Sequence, residues 1–313
     1  MLDRKRWWNA VETTVMRQQL HQEITPFERQ ALLDEQYRTQ IAMQGFNSSE
    51  VGKIYPHQTR NNLYNLSVTS IIGMPNAGKT LTSETIVETR TMEVPLLMSE
   101  VYREEKEKLD KSKEFSFVKL YERLLNRQNI EFKKAIKLGR LGVTSGLNTE
   151  GHIMFDRLVW TDLPMARAHF LIGNIDHPTL ELIEIDHPTL ELIEKEFVSH
   201  LLHRNDTNNI LINCIIKPEL AISRQSKNEG LGRILNPIFL PILYEQSLRL
   251  HYEMVNFEKV FKIKRPFTYA TVDMSSPDRV ERFRSLEKVI NWSLIAQDNI
   301  YTIESINEFI TTN

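Results

Sequence analysis

The chain has 313 residues, 41% of them hydrophobic, and its 39 basic and 41 acidic side chains give a formal net charge of −2. This balance excludes a globally basic nucleic-acid-binding protein, and the length predicts two domains or one large domain with an appendage. A single cysteine, Cys214, excludes an intramolecular disulfide and a multi-cysteine zinc site. We find no apolar run of the length that a signal peptide or a membrane span needs, so the sequence predicts a folded cytoplasmic protein with no membrane partner.

Residues 1–60 are predicted to form an N-terminal helical extension. Trp7–Val15 carries apolar residues at helical spacing, which is typical of a packed helix. Trp7 and Trp8 lie beside a charged terminus and could instead offer a surface to a protein partner, because tryptophan is enriched at interfaces. The polar stretch Gly45–Tyr64 predicts a linker.

From Leu66 onward, short β-rich runs alternate with helical patterns. The runs are Leu66–Ile72, Val94–Met98, His152–Phe155, Asn209–Ile216 and Phe267–Val272. Strands that alternate with helices favour a parallel sheet covered on both faces. The sequence therefore predicts an α/β domain over residues 61–313, built on a five-stranded, mostly parallel sheet flanked by helices.

One ten-residue segment, IDHPTLELIE, occurs twice in succession, at 175–184 and at 185–194. Two copies of this length cannot stack a core of their own, so the pattern predicts a duplicated surface insert and not a solenoid. His177 and His187 resemble metal ligands superficially. The second histidine recurs only because the whole segment is duplicated, so the pair gives no independent support for a metal site.

The segment Gly73–Thr80 (GMPNAGKT) matches the phosphate-binding pattern G-x-x-x-x-G-K-[ST] in full. An apolar β-run precedes it and Leu81–Glu88 can form a helix after it, which is the context that this pattern requires. Its glycines let backbone N–H groups face phosphate oxygens. Lys79, which we expect to face solvent, would reach the β and γ phosphates, and the Thr80 hydroxyl would bind Mg²⁺.

The sequence therefore predicts ATP and Mg²⁺ as cofactors. The predicted nucleotide contacts are Gly73, Met74, Pro75, Asn76, Ala77, Gly78, Lys79, Thr80 and Leu81.

Other motifs narrow the class of nucleotide-binding protein. The chain has neither the N/T-K-x-D segment of a GTPase nor the LSGGQ-type signature of a transporter ATPase. An AAA-type ATPase usually carries four apolar residues followed by Asp-Glu. Here the run His152–Phe155 is followed by Asp156 and Arg157 instead.

Two segments carry a family resemblance. The first is FDRLVWTDLPMARAHF, at Phe155–Phe170, where a predicted strand ends in Asp-Arg and a helix follows. The second is KPELAISR, at Lys217–Arg224, which precedes further basic residues. Together with the phosphate-binding loop, they resemble the P-loop nucleoside and nucleotide kinases, most closely the thymidylate kinase and deoxynucleoside kinase group. The resemblance covers about Leu66 to Asp273.

The resemblance implies roles for single residues. Asp156 would serve Mg²⁺ or its waters, and Arg157 would face the acceptor or its phosphate. Glu100, in an acidic position after the second strand, would be the general base or an acceptor ligand. The basic lid would be formed by Arg224, Lys227 and Arg233. The chain departs from the family pattern at Pro95, which precedes the acid here instead of following it.

The leading hypothesis is an ATP- and Mg²⁺-dependent kinase that acts on a nucleoside, nucleotide or similar small acceptor. Phosphoryl transfer mainly needs positioning and positive charge, which Lys79, Arg157, Arg224 and Arg233 could supply. The alternative is a P-loop ATPase subunit that regulates a protein partner held by residues 1–60. The long extension favours the alternative, whereas the Asp-Arg and lid segments favour the kinase. The lid arginines could also form ordinary surface salt bridges.

Overall fold

The computed structural model describes ten parts of the chain. They are residues 26–57, 66–79, 92–93, 98–112, 116–145, 152–156, 163–172, 185–202, 207–225 and 239–298. The predicted Trp7–Val15 helix and the helix predicted at Leu81–Glu88 lie outside these residues.

A single sheet of six strands forms the centre of the described fold. The strands are β1 Ile54–Tyr55, β2 Ser67–Gly73, β3 Met92–Glu93, β4 His152–Asp156, β5 Asn208–Ile215 and β6 Thr268–Asp273. Their order across the sheet is β1-β6-β5-β2-β4-β3. Strand β1 is antiparallel to β6, and the other described pairs are parallel. The predicted α/β class with a mostly parallel sheet is confirmed, and β1 adds a short strand at one edge.

The strands differ from the prediction at two places. Strand β1 lies inside Gly45–Tyr64, which the sequence predicts to be a linker. The second predicted strand, Val94–Met98, is displaced: β3 comprises Met92–Glu93, and Met98 is the first residue of a helix.

Nine α-helices are described around the sheet. They are α1 Pro26–Gly45, α2 Met98–Ser112, α3 Phe117–Ser145, α4 Leu163–Ile172, α5 His187–Leu202, α6 Pro218–Gln225, α7 Phe239–Val255, α8 Phe257–Phe261 and α9 Arg279–Asp298. A 3₁₀ turn at Ser48–Glu50 follows α1.

The helices cover both faces of the sheet. On one face, the ring of Phe132 from α3 stacks on Phe155 from β4 with the centroids 4.6 Å apart. Tyr269 of β6 belongs to the same hydrophobic core as these two rings. Its neighbour Ala270 points to the other face and packs in a second core with Leu286 of α9. This alternation explains why β2, β5 and β6 are buried almost throughout, since each strand is covered on both sides.

The second copy of the duplicated segment starts helix α5. Asp186 immediately precedes the helix, and its Oδ1 accepts a hydrogen bond of 2.9 Å from the backbone N–H of Thr189. This is the geometry of an N-cap, and Pro188 fits the first helical turn, where no backbone donor is needed. Ile185 is buried in the core. The first copy lies outside the described residues.

Helix α1 joins the rest of the fold through a buried ionic network. Arg249 of α7 donates to Glu35 Oε1 of α1 at 2.6 Å and to Glu253 Oε1 at 2.8 Å. Arg167 of α4 donates to Glu253 Oε2 at 2.8 Å and to Glu194 Oε1 of α5 at 2.8 Å. The network connects α1 with α4, α5 and α7.

The charges in this network offset the cost of burial. Burial alone would raise the pKa of the Glu253 carboxyl, but the guanidinium groups of Arg167 and Arg249 outweigh it and lower that pKa to about 2. Burial alone would lower the pKa of Arg167, but its carboxylate partners raise that pKa instead. The Glu253 carboxyl and the Arg167 guanidinium therefore stay charged at neutral pH.

The predicted domain boundary at residue 60 stays a prediction. However, α1 contributes Ala31 to the main core and Glu35 to the ionic network. Strand β1, also before residue 60, pairs with β6. The sequence suggests that residues 61–313 fold without the extension, whereas these contacts lead us to expect that its removal destabilises the protein.

We predict that Glu35→Ala lowers the free energy of unfolding by about 3 kcal/mol, because the buried Arg249 guanidinium loses one of its two carboxylate partners and keeps only Glu253. Urea denaturation followed by far-UV circular dichroism measures this loss. Asp34→Ala is the matched control, since Asp34 is the preceding residue of the same helix and is exposed. Equal losses in both variants would show that the network contributes nothing specific.

The second prediction concerns pH. His152 of β4 is fully buried, with Nε2 2.7 Å from the Thr69 hydroxyl, and burial lowers its pKa from 6.5 to about 4. Between these two values the unfolded chain binds more protons than the folded chain. Above pH 6.5, His152 therefore does not reduce the free energy of unfolding. As the pH drops from 6.5 towards 4, it lowers the free energy of unfolding by up to about 1.4 kcal/mol per pH unit.

Urea midpoints recorded from pH 7.5 down to 4.5 test this dependence. His152→Gln should show a flatter decline than the unsubstituted protein, because it removes one titrating group. A decline of unchanged steepness in the variant would contradict the assignment to His152.

Candidate functional site

The loop Gly73–Lys79, which carries the phosphate-binding pattern, lies at the carboxyl edge of the sheet. Gly73 ends β2 and pairs with Cys214 near the end of β5, which in turn pairs with Val272 of β6. Asp156, the last residue of β4, pairs with Ile71 on the other side of β2. Parallel strands bring their carboxyl ends to one edge, so the ends of β2, β4, β5 and β6 meet here.

Gly73 makes the closest approach at this edge. Its φ is +124°, and a Cβ atom added to it would lie 2.0 Å from the carbonyl oxygen of Cys214. The next residue, Met74, donates its backbone N–H to the same carbonyl oxygen at 3.0 Å. The loop thus leaves β2 in contact with β5, and no residue with a side chain fits at position 73.

The middle of the loop has a backbone suited to anions. Asn76 and Gly78 have φ values of +56° and +85°. Left-handed residues interspersed in a turn direct successive N–H groups into a concave nest that binds anions. A Cβ at Gly78 would meet no atom within 4 Å, so backbone conformation and not space favours glycine there. The Asn76 side chain donates to the carbonyl of Ala221 in α6 at 3.1 Å, which fixes the loop to that helix.

Lys79 is enclosed by the loop. Its Nζ donates to the carbonyl oxygens of Gly73 at 2.9 Å and Met74 at 2.6 Å, and only 3% of the residue is exposed. The expectation that Lys79 faces solvent is therefore wrong. The reason is that the loop curls round the side chain and places the ammonium charge at the loop's own centre.

Arg224 connects the loop with the segment after β6. Its guanidinium donates to the carbonyl of Asn76 at 3.4 Å and to that of Ser276 at 2.8 Å. Arg282 of α9 donates to the same Ser276 carbonyl at 2.6 Å. Burial, followed by the nearby Arg282 charge, lowers the pKa of Arg224, while Asp273 opposes this shift.

These contacts refine the prediction for Arg224. The guanidinium binds backbone carbonyls and is in no salt bridge with a described carboxylate, so its positive charge stays beside the loop. Arg282 was not found by sequence reasoning. It lies in the first turn of a long helix with no motif around it, and no sequence signal could have indicated its proximity to the loop.

The other predicted site residues are only partly described. Glu100 is the third residue of α2, and Asp156 ends β4. Outside the described residues lie Thr80, Leu81, Arg157, Lys227 and Arg233.

The described loop suits the predicted triphosphate, and Mg²⁺ stays a prediction. A concave backbone with a lysine at its centre suits a triphosphate. The hydroxyl of Thr80 and the carboxylate of Asp156 belong to the oxygen ligands that Mg²⁺ prefers. Within the described ranges, no group of three or more His, Cys, Asp or Glu side chains could hold a metal by itself. In the same ranges, no helix is both long and apolar enough to cross a membrane.

Comparisons with known proteins give similarity to solved structures alone. No protein-family model and no curated protein matches the chain. Deoxyadenosine kinase from M. mycoides with bound dCTP is similar at 17% identity and a TM-score of 0.41, over 72% of this chain and 98% of that chain. Thymidylate kinase from Candida albicans is similar at 14% identity and a TM-score of 0.47, over 73% and 93%. Because both TM-scores are low, the functional proposal below rests on the residues of the site.

We predict that Gly73→Ala destabilises the protein far more than Gly52→Ala. Both glycines have positive φ, at +124° and +86°, but a Cβ at Gly52 would meet no atom within 4 Å. The control should therefore cost about 1 kcal/mol of backbone strain, whereas Gly73→Ala adds a collision with β5. Thermal melting of both variants makes the comparison, and equal melting temperatures would contradict the close approach.

Proposed function

We propose that the protein is an ATP- and Mg²⁺-dependent phosphotransferase that moves the γ-phosphoryl group to a nucleoside, a nucleotide or a similar small acceptor. The observation that carries this proposal is the loop Gly73–Lys79, where a buried ammonium group lies within an anion-binding backbone turn. The choice of a kinase among nucleotide-binding proteins is supported by the Asp156–Arg157 strand end and by the basic segment that begins at Arg224.

Nucleotide binding depends on Lys79 in this proposal. Its ammonium group has three donors, two of which hold the carbonyl oxygens of Gly73 and Met74. A triphosphate in the nest would offer stronger, charged acceptors to the same group. The ammonium would then turn from the carbonyls to the β and γ phosphates without travelling in from solvent.

Transfer depends on positive charge and on the acceptor's proton. Arg224 and Arg282 share the carbonyl of Ser276, so two guanidinium groups lie on one side of the loop. Arg157 and Arg233 would add charge from the strand end and the lid. Mg²⁺, held by Thr80 and Asp156, would neutralise charge on the transferring phosphoryl group. Glu100 would accept the proton of a hydroxyl acceptor such as a nucleoside, or would bind the acceptor.

Radiolabelled ATP distinguishes this function from its alternative. The protein is incubated with ATP labelled at the γ position, Mg²⁺ and a panel of nucleosides and nucleoside monophosphates, and the products are separated by thin-layer chromatography. Label on a small acceptor is the expected result. Label found in inorganic phosphate alone would contradict the kinase and favour the ATPase.

We predict that Lys79→Met lowers the transfer rate by at least about 10²-fold, because it removes a charge that contacts the transferring phosphoryl group. Lys53→Met is the matched control, since Lys53 is exposed and pairs with Glu50. As Lys79 is buried, the melting temperatures of both variants are measured alongside, and rates are compared per folded molecule. An unchanged rate in Lys79→Met would contradict the role of the loop.

A further inference from the structure

The exposed apolar side chains of the described residues are concentrated in one region. Nine large hydrophobic residues are exposed, and six of them lie on α1, on α8 or directly after α8: Phe27, Leu33, Tyr37, Ile41, Val260 and Ile263. Leu33, Tyr37 and Ile41 follow one another at intervals of four residues. They therefore form a single row along α1, because residues four apart are neighbours on a helix surface.

This row leads to a cavity of about 370 Å³, enclosed by α1, α4, α5, α7 and α8. Ile41 and Val260 line it from opposite helices, and its apolar walls are completed by Leu163, Phe197 and Phe261. The volume lies within the range of sites that bind small molecules or side chains. The row and the cavity together are called the α1–α8 surface below.

The charged groups at the base of the cavity are satisfied. Arg167, Arg249, Glu194 and Glu253 also line it, and each takes part in the ionic network described above. The base therefore has no unpaired charge to attract an ion. Apolar side chains are the groups that gain most by entering this cavity.

The rim of the surface is basic. Arg38 has 60% of its side chain exposed, and its nearest carboxylate oxygens are 3.9 and 4.0 Å away. Lys259, Lys262 and Lys264 are exposed, and no ion pair joins any of them to a described carboxylate. Among the exposed charged residues of α1, of α8 and of the segment up to Lys264, five are basic (Arg29, Arg38, Lys259, Lys262 and Lys264) and three are acidic (Glu28, Asp34 and Glu258). The rim therefore favours an acidic partner.

We propose that the α1–α8 surface is a docking site for an acidic amphipathic helix of a partner protein. Apolar side chains on one face of that helix would cover Leu33, Tyr37 and Ile41 and fill the cavity. Its acidic residues would face Arg38 and the lysines of the rim. A row at one-turn spacing beside a cavity suits a helix, whose own ridges repeat at the same interval.

This surface is separate from the phosphate-binding loop. Helix α8 leads into the first residue of β6, at the amino edge of the sheet, whereas Gly73–Lys79 lies at the carboxyl edge. The proposed docking therefore uses none of the residues assigned to the proposed phosphotransfer, and the two proposals can fail separately.

The test uses the full chain and two fluorescein-labelled helical peptides of about five turns. Both carry leucines at the same positions of one face, and the other positions are mainly glutamate in the first peptide and lysine in the second. Fluorescence anisotropy should show saturable binding of the acidic peptide and at least about tenfold weaker binding of the basic one.

Substitutions locate the binding. Tyr37→Glu and Lys259→Glu should each weaken binding of the acidic peptide by at least about tenfold, while Ile130→Glu should leave its binding unchanged. Ile130 is the matched control, because it is 55% exposed on α3, away from this surface. All three positions are exposed, so the variants should melt like the unsubstituted protein.

Five results would overturn the proposal, four with peptides or the protein alone and one with lipid vesicles. Three concern the peptides: no binding of the acidic peptide, equal binding of both peptides, or unchanged binding in Tyr37→Glu. The fourth is self-association in sedimentation that Tyr37→Glu abolishes, because it would identify a second copy of the chain as the occupant. Vesicles of phosphatidylserine and phosphatidylcholine test a lipid surface. Binding to them that Tyr37→Glu removes, without binding of the peptide, would also overturn it.

Discussion

The contact between Gly73 and the carbonyl oxygen of Cys214 determines how the carboxyl edge of the sheet is arranged. With a hypothetical Cβ only 2.0 Å from that oxygen, strands β2 and β5 can keep their register to the last residue only because position 73 has no side chain. The register in turn places the phosphate-binding loop next to the segments after β5 and β6. The nest, the enclosed lysine and the nearby arginines all depend on this approach.

From that contact, a chain of hydrogen bonds extends across the edge. Asn76 binds the carbonyl of Ala221 in α6, and Arg224 of the same helix binds the carbonyls of Asn76 and Ser276. The loop, α6 and the segment after β6 are therefore one connected unit. A change in the position of α6 would alter the backbone that surrounds Lys79.

Much of the fold could be predicted from the sequence, because the central strands are short β-rich runs that alternate with helical patterns and the phosphate-binding pattern is complete. The remainder depends on contacts between distant residues. Strand β1 has two residues in a polar stretch, so it carries no periodic signal. Glu35 and Arg249 are 214 residues apart, and a charged residue in a helix gives no indication that its partner lies elsewhere in the core. The position of Arg282 beside the loop and the burial of Lys79 could likewise not be predicted from the sequence, since both depend on tertiary contacts.

The cap that Asp186 provides for α5 would survive the loss of one copy of the duplicated segment. Because the two copies of IDHPTLELIE are identical, deletion of either one yields the same shortened chain. That chain keeps the residues now numbered Ile185 and Asp186 and the whole sequence of α5. A chain with a single copy would therefore retain every residue of the capped helix.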